Sequence, residues 1–225
     1  MKNNYFYPKP LANIYATANV RSETSTQILY GEKFKILKKN NNWVKIKTSY
    51  DNYIGFLKYQ KFKKKFNPTH KIFKLKSQIF KKKKNKFIPS GKYLFFTSKI
   101  YMLSENKKFI EFEKNEWIKK NDIKPINYHE KNFSKLLKLF LGTKYLWGGK
   151  TIKGIDCSAL VQIYFLFNNI YFPRDTKDQI KFLRKVKNHK LYKKNIFLYW
   201  KGHVAVSLNR YFLIHAYGPK KKVVI

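Results

Sequence analysis

The stretch GIDCSALVQIYF, residues 154–165, contains the single cysteine of the chain, Cys157. Large apolar residues recur behind it at helical spacing, at Leu160, Val161, Tyr164 and Phe165. This periodicity predicts a helix over residues 158–168 with one buried face. The sulfur would then meet the unpaired N–H groups of the first turn, a position that lowers the pKa of a thiol and suits a nucleophile. A cysteine that only packs in a core is the alternative.

A thiol nucleophile needs a base, and two histidines on consecutive predicted strands could supply it. His203 lies in GHVAVSL (202–208) and His215 in LIHAYG (213–218). Cysteine, base and an orienting polar group form the generalised triad. A two-residue loop between the strands would put the histidines on opposite faces, whereas a three-residue loop would place them directly across from each other. We therefore expect a loop of odd length or a bulge.

The composition indicates a globular protein. The chain has 225 residues, of which 44% are hydrophobic, enough for one large domain or for two or three small ones. Its first residues carry no apolar run of the kind found in signal peptides, and no stretch approaches the length of a membrane span. We therefore expect a cytoplasmic location. A single cysteine cannot form an internal disulfide, so its thiol is free for chemistry.

The formal net charge of +38 raises the question of an anionic partner. Clustered lysines bind phosphate backbones, but lysines here occur in every segment, and we interpret most of them as a solvated surface. Steering of small acidic substrates is a second interpretation, and specific nucleic-acid binding is a third. No RNA-binding aromatic motif surrounds the densest lysine run, residues 81–84. We expect no nucleic-acid partner, no membrane partner and no obligate protein partner.

The predicted elements divide the chain into three domains. Residues 1–66 contain short alternating apolar segments separated by turn residues, the pattern of a small all-β barrel. Residues 67–126 repeat the pattern and predict a second barrel. Residues 127–225 begin with helical segments and end in three consecutive strands, which predicts an α+β domain.

Five short motifs of the last domain occur in an order and at spacings typical of one known family. They are KYLWGG (144–149), GIDCSALVQ (154–162), PRDTKDQ (173–179), GHVAV (202–206) and HAYG (215–218). On these motifs the domain resembles the NlpC/P60 cysteine peptidases of bacterial cell-wall peptides, and the preceding segments resemble bacterial SH3 modules. The resemblance implies an α+β protein in which two small all-β SH3-like barrels precede a papain-like NlpC/P60 catalytic domain.

The resemblance also implies catalytic roles for four residues. Cys157 would be the nucleophile, His203 the general base and later the acid, and His215 the group that orients His203. Tyr145 matches a tyrosine whose hydroxyl lies near the oxyanion site in this family, where the backbone N–H of Cys157 would supply another donor. Hydrolysis by a thiolate needs no cofactor, and the sequence contains no metal-binding motif, so we expect neither a cofactor nor a metal.

A substrate pocket for small acidic murein peptides with a free N-terminal L-Ala is a further implication. Asp156 and Ser158 match positions that help to hold this amino group in SH3-bearing members of the family, and Thr176 stands where they often have a pocket-lining serine. Glu32 and Tyr53 of the first barrel match positions expected to close the pocket. A blocked amine would leave buried charges unpaired, which predicts hydrolysis of the γ-D-glutamyl-diamino acid bond of N-terminally free L-Ala-γ-D-Glu peptides.

Two other functions stay open at this point. A secreted or wall-directed DL-endopeptidase would use the SH3 modules to bind the wall. A basic, aromatic-rich protein that binds nucleic acid or an anionic surface would keep the peptidase fold without its activity.

Overall fold

The computed structural model of the protein describes residues 4–183 and 193–225. The chain forms two compact units, residues 1–128 and residues 129–225. None of the helices in the described ranges is long and apolar enough to cross a membrane.

Six strands form the first sheet of the N-terminal unit. They are β1 (Asn4–Phe6), β2 (Leu11–Tyr15), β3 (Thr24–Leu29), β4 (Lys33–Asn40), β5 (Trp43–Thr48) and β6 (Ile54–Lys58). All neighbours are antiparallel in the order β1-β4-β5-β6-β2-β3. Because alternate residues of a strand face opposite sides, the apolar positions collect on one face and form a core that includes Ile14, Phe34 and Ile46.

Eight further strands complete the N-terminal unit. They are β7 (His70–Ile72), β8 (Lys76–Lys83), β9 (Lys86–Phe95), β10 (Lys99–Ile100), β11 (Ser104–Glu105), β12 (Phe109–Glu113), β13 (Glu116–Lys119) and β14 (Ile123–Pro125). They form a five-stranded sheet in the order β11-β12-β13-β8-β9 and a three-stranded sheet in the order β10-β7-β14. A 3-10 turn, Lys120–Asp122, precedes β14, and Ile72, Leu94 and Ile118 belong to the shared core.

The sequence predicts two small barrels in this unit. In the described strand orders, however, the first and last strands of each sheet do not pair with each other, so no sheet closes into a ring. β1 and β3 are the edges of the six-stranded sheet, and the later strands divide between two sheets. Two closed SH3-like barrels are therefore not confirmed. The alternation of apolar residues reports which face of each strand is buried, but it does not decide which edges pair. The boundary at residue 66 stays a prediction.

The two halves of the N-terminal unit approach each other closely at Gly31. This glycine has a φ of +77°, and a Cβ atom there would lie 2.1 Å from the carbonyl oxygen of Lys99. The neighbouring Tyr30 packs edge-on against Phe112 with ring centroids 5.5 Å apart, and its hydroxyl hydrogen-bonds the carboxylate of Glu113. The two regions of similar sequence pattern thus share one compact unit.

In the residues that the structure describes, the C-terminal unit combines three helices with an antiparallel sheet, the predicted α+β order. Its elements are α1 (Phe133–Lys138), β15 (Lys150–Thr151), β16 (Gly154–Ile155), α2 (Cys157–Phe167), α3 (Thr176–Phe182), β17 (Phe197–Trp200), β18 (His203–Ser207), β19 (Leu213–Tyr217) and β20 (Lys222–Val224). The sheet order is β17-β18-β19-β20. The prediction of three strands is wrong by one, because β20 is a three-residue strand after a lysine-rich turn and shows too little alternation to be recognised.

Candidate active site

Cys157 is the first residue of α2, one residue earlier than the sequence predicts for the helix start. The hairpin of β15 and β16 leads directly into the helix. Asp156 is the N-cap residue in extended conformation, and its carboxylate accepts the N–H of Ala159 at 2.8 Å. The backbone N–H of Cys157 belongs to the first turn, where N–H groups have no helical partner. Packing of α2 against β18 and β19 brings this end of the helix to the sheet that carries both histidines.

His203 and His215 are in direct hydrogen-bond contact, with Nε2 of His203 2.8 Å from Nδ1 of His215. Residues 208–212 connect their strands, and this loop of odd length puts both side chains on one face, as predicted. The register sets Val206 opposite Ile214, so the two histidines are diagonal neighbours. A three-residue loop would have placed them directly across from each other, whereas the observed loop has five residues.

The sulfur of Cys157 lies against the start of β18. It accepts hydrogen bonds from the backbone N–H groups of Ser158 and of Val204, the residue next to His203. The cysteine is only 4% exposed, but the groups around its sulfur are polar, so the thiol is not enclosed in hydrocarbon. The structure thereby brings together the helix N-terminus and the histidine pair that the sequence proposes as one catalytic group.

Burial raises the pKa of the Cys157 thiol above its ordinary value, and the negative charge of Asp156 raises it further. The backbone hydrogen bonds and the guanidinium of Arg174 lower it, but they do not outweigh burial. The expectation of a lowered pKa at this helix N-terminus is therefore wrong, because the N-cap carboxylate stands beside the sulfur and water is largely excluded. The thiol is protonated near neutral pH and needs a base to become a nucleophile.

The histidine pair can supply this base in a defined tautomer. Burial lowers the pKa of His203, and burial together with His203 and Lys220 lowers that of His215 to about 4, so both rings are neutral near pH 7. If Nδ1 of His203 is to accept the proton of Cys157, Nε2 must carry the other proton and donate it to Nδ1 of His215. The low pKa of His215 keeps that nitrogen an acceptor. His215 can then hold His203 in its orientation and stabilise the imidazolium.

Asp156 takes part in a buried network instead of presenting its carboxylate to a pocket. Arg174 donates from Nη1 to Oδ1 at 3.0 Å and from Nη2 to Oδ2 at 2.6 Å, and the N–H of Gly148 donates to Oδ2 at 2.9 Å. Ser158 and Ala159 also donate to Oδ1. These five bonds occupy the acceptor sites of both oxygens. The sequence predicts that this carboxylate contacts a substrate amine. In the structure its oxygens have no acceptor site left for an amine, and Arg174 already neutralises its charge.

Ser158 is buried in the same network. Its hydroxyl donates to Asp156 at 3.1 Å and accepts from Nη1 of Arg174 at 2.8 Å, while its carbonyl oxygen accepts from Nε2 of Gln179 at 3.1 Å. Thr176 is the partly buried first residue of α3, after the N-cap residue Asp175. The substrate-binding roles predicted for Ser158 and Thr176 stay predictions.

Two tyrosines lie within electrostatic range of the cysteine. Burial raises the pKa of Tyr145 to about 12, helped by the charges of Asp156 and of Cys157, whose thiol is ionised at such a pH. The phenol therefore keeps its proton near neutral pH and can donate a hydrogen bond. The hydroxyl of Tyr199 donates to Oε1 of Gln179 at 3.2 Å, and burial and Cys157 raise its pKa. Sequence reasoning identified Tyr145 through its motif and missed Tyr199, which no motif singles out.

Glu32 and Tyr53 belong to the N-terminal unit. Glu32 is buried, and its backbone oxygen accepts the N–H of Tyr7 at 3.0 Å. Tyr53 is half-buried, and its N–H donates to the hydroxyl of Thr48 at 2.8 Å. Their predicted part in closing a substrate pocket stays a prediction.

Two aromatic residues flank the histidines and were missed by sequence reasoning. Trp200 stands opposite His203 across the β17–β18 pair, with ring centroids 4.9 Å apart. Tyr217 stacks on His215 with centroids 4.7 Å apart. The sequence could have indicated both residues: Trp200 precedes His203 by three residues in YWKGH, and Tyr217 follows His215 by two in HAY.

In the ranges 4–183 and 193–225, no cluster of three or more His, Cys, Asp or Glu side chains could hold a metal ion.

Two family models match this chain. Residues 142–225 match the model described as "NlpC/P60 family", and residues 14–61 match "Bacterial dipeptidyl-peptidase Sh3 domain". The chain therefore carries an NlpC/P60 domain preceded by a bacterial SH3 domain.

Homologous proteins include two named dipeptidyl-peptidases. Dipeptidyl-peptidase 6 of Lysinibacillus sphaericus is 35% identical over 77 residues, which are 34% of this chain and 28% of that protein. Gamma-D-glutamyl-L-lysine dipeptidyl-peptidase of Bacillus subtilis is 26% identical over 173 residues, 69% of this chain and 57% of that protein. The probable endopeptidase NlpC homolog of Haemophilus influenzae is 34% identical over 90 residues, 39% of this chain and 49% of that protein. The chain thus matches less than two thirds of the length of each of these relatives.

Solved structures share the fold. A crystal structure of an NlpC/P60 family protein from Bacillus cereus superposes with a TM-score of 0.80 at 18% identity, covering 98% of this chain and 93% of that one. An NlpC/P60 endopeptidase from Photobacterium damselae gives a TM-score of 0.61 at 14% identity, covering 99% and 59%.

Proposed function

We propose that the protein is a cysteine endopeptidase that hydrolyses the γ-D-glutamyl bond to a diamino acid in peptides that begin with an unblocked L-Ala. The observation that carries the chemistry is the position of the Cys157 sulfur at the start of α2, where it accepts a hydrogen bond from the backbone N–H of Val204. The neighbouring His203 is in turn hydrogen-bonded to His215. The substrate class is supported by homology to a γ-D-glutamyl-L-lysine dipeptidyl-peptidase and a dipeptidyl-peptidase 6. A role in the recycling of such peptides in the cytoplasm is part of the same proposal.

The reaction proceeds in two stages, formation and hydrolysis of an acyl thioester, and His203 accepts and returns a proton in each stage. Nδ1 of His203 takes the proton of Cys157 as the sulfur attacks the γ-carbonyl carbon of D-Glu. The imidazolium then protonates the amine of the departing diamino acid, and an acyl thioester remains on Cys157. Water attacks this thioester while His203 accepts a water proton, and release of the dipeptide returns that proton to the sulfur. No cofactor enters these steps.

The tetrahedral intermediate carries a negative oxygen that needs donors. The backbone N–H of Cys157 is one donor, because it belongs to the unpaired first turn of α2. We assign the second to the phenol of Tyr145, which stays protonated and lies close enough to Cys157 for their charges to interact.

Hydrolysis of L-Ala-γ-D-Glu-L-Lys, followed by chromatography and mass spectrometry, tests the proposal. We expect the dipeptide and free lysine from the unblocked peptide, little product from its N-acetylated form, and none with the Cys157→Ala variant. Equal cleavage of both peptides would contradict the requirement for a free amine and favour a wall-directed endopeptidase. No cleavage, together with salt-sensitive DNA binding that persists in Cys157→Ala, would favour the basic binding protein instead.

A further inference from the structure

Trp200 is an exposed aromatic residue beside the histidine pair. Its side chain is 48% exposed, and it ends β17 directly opposite His203. The indole and imidazole centroids are 4.9 Å apart, with the ring planes inclined at 48°. On the other side of the pair, Tyr217 stacks on His215. The ring of His203 is therefore in contact with an indole that the hydrolytic steps do not use.

We propose that Trp200 is a positioning residue that stabilises the imidazolium form of His203 through the face of its indole ring. A cation over the face of an aromatic ring, within about 6 Å of the centroid, is attracted by the ring quadrupole, and Trp is the strongest of the aromatic residues in this respect. His203 is neutral at rest and becomes positive only when it takes the thiol proton. The attraction therefore favours the state after proton transfer over the state before it. This kinetic consequence rests on the proposed function, whereas the effect on His203 does not.

Two effects of the indole oppose each other. Its attraction for a cation raises the pKa of His203, while its apolar bulk excludes water and lowers that pKa. The other titratable groups on the elements packed against β18 and in the adjoining turns are Tyr199 on β17, Cys157 and Tyr164 on α2, His215 and Tyr217 on β19, Lys201 before β18 and Lys220 after β19. A substitution that keeps apolar bulk but removes the aromatic face separates the two effects.

The titration of the His203 ring by proton NMR provides the test, and it requires no substrate. The parent protein is compared with Trp200→Phe and Trp200→Leu, and a His203→Gln variant assigns the resonance. We expect the pKa of His203 to fall by about 0.3 to 0.7 in Trp200→Leu, which corresponds to a two- to fivefold loss of proton affinity, and by less in Trp200→Phe. Tyr211→Leu is the matched control, because Tyr211 is an exposed aromatic residue in the loop at the other end of the hairpin.

The direction of the change decides the question. A pKa of His203 in Trp200→Leu equal to or above that of the parent would mean that the indole only excludes water, and the proposal would be wrong. If Trp200→Leu does not fold, Trp200→Phe decides alone, since its pKa must still lie below that of the parent. In the peptide assay we expect the acidic limb of kcat/KM to move with the NMR titration. A parent without hydrolytic activity would refute the proposed function and leave the NMR result standing.

Discussion

Arg174 and Asp156 form an ion pair that is almost completely removed from water, with Nη2 2.6 Å from Oδ2 and side chains that are 2% and 7% exposed. The pair fixes the residue immediately before Cys157. Because Asp156 also caps α2, the guanidinium indirectly determines where the helix begins and where the sulfur lies. A surface ion pair could not do this, since its geometry is loose and its energy small.

Removal of Arg174 is expected to destabilise the protein strongly. Arg174→Met would leave the Asp156 carboxylate buried without its partner, which costs about 3 to 5 kcal/mol of unfolding free energy. Urea unfolding followed by circular dichroism measures this loss. Arg210→Met is the matched control, because Arg210 is exposed in the loop 208–212. Similar stabilities of the two variants would contradict the structural role of the ion pair.

The alkylation rate of Cys157 is expected to rise steeply with pH. Burial and Asp156 raise the pKa of the thiol, so below that pKa the thiolate fraction grows about tenfold for each pH unit. Iodoacetamide labelling of the folded protein between pH 5.5 and 9, followed by mass spectrometry, should show this slope. Asp156→Asn removes the negative charge and should speed labelling at pH 7.5. Because the change also leaves Arg174 without its charged partner, circular dichroism must show that the variant is folded under the labelling conditions. A rate that stays constant from pH 5.5 to 8 would indicate a preformed thiolate-imidazolium pair and would contradict the assigned protonation states.

The sequence contains enough information to locate the reacting groups. The helix that begins at the cysteine and the two histidine strands follow from apolar periodicity and from five motifs, and the loop parity follows from the pleat. These features are local, because each depends on residues close together in the chain. The contact between Nε2 of His203 and Nδ1 of His215 could be anticipated for the same reason.

Properties that depend on distant residues could not be predicted. The direction of the pKa change at Cys157 depends on burial and on a carboxylate that is held by Arg174, eighteen residues away from Asp156. A helix N-terminus alone favours a thiolate, so the sequence predicts a lowered pKa for the Cys157 thiol, opposite to the direction found. The two predicted barrels are not confirmed for a similar reason, since alternation does not determine which strand edges meet. The diagonal arrangement of the two histidines could be predicted only from the exact loop length, and the sequence around Asn209 does not specify that length.

Replacement of Tyr145 by Phe is expected to slow turnover without unfolding the protein. The change removes only the hydroxyl that we assign to the oxyanion site, and loss of one such donor typically reduces kcat on the order of 10² to 10³. KM and the thermal midpoint should change little. Steady-state hydrolysis of L-Ala-γ-D-Glu-L-Lys measures the effect, and Tyr171→Phe, at an exposed tyrosine of the same unit, is the control. Equal kcat values for the two variants would exclude Tyr145 as an oxyanion donor.

His215 is expected to make the protein less stable in acid. Burial, His203 and Lys220 lower its pKa to about 4, against about 6.5 in an unfolded chain. Between these two values the unfolded state binds a proton that the folded state does not, so stability falls as the pH drops from 6.5 towards 4 and is fully present above 6.5.

Urea midpoints at pH 7.5 and 4.5 measure this acid sensitivity. Carboxylates contribute their own loss in acid, so the informative quantity is the difference between the wild type and His215→Gln, which keeps a polar side chain but cannot titrate. The drop in midpoint should be smaller in His215→Gln, and His129→Gln, at an exposed histidine, should behave like the wild type. If the drop in midpoint were as large in His215→Gln as in the wild type, His215 would have the same pKa in the folded and unfolded states. The assignment of His215 as a neutral acceptor in the histidine pair would then be wrong.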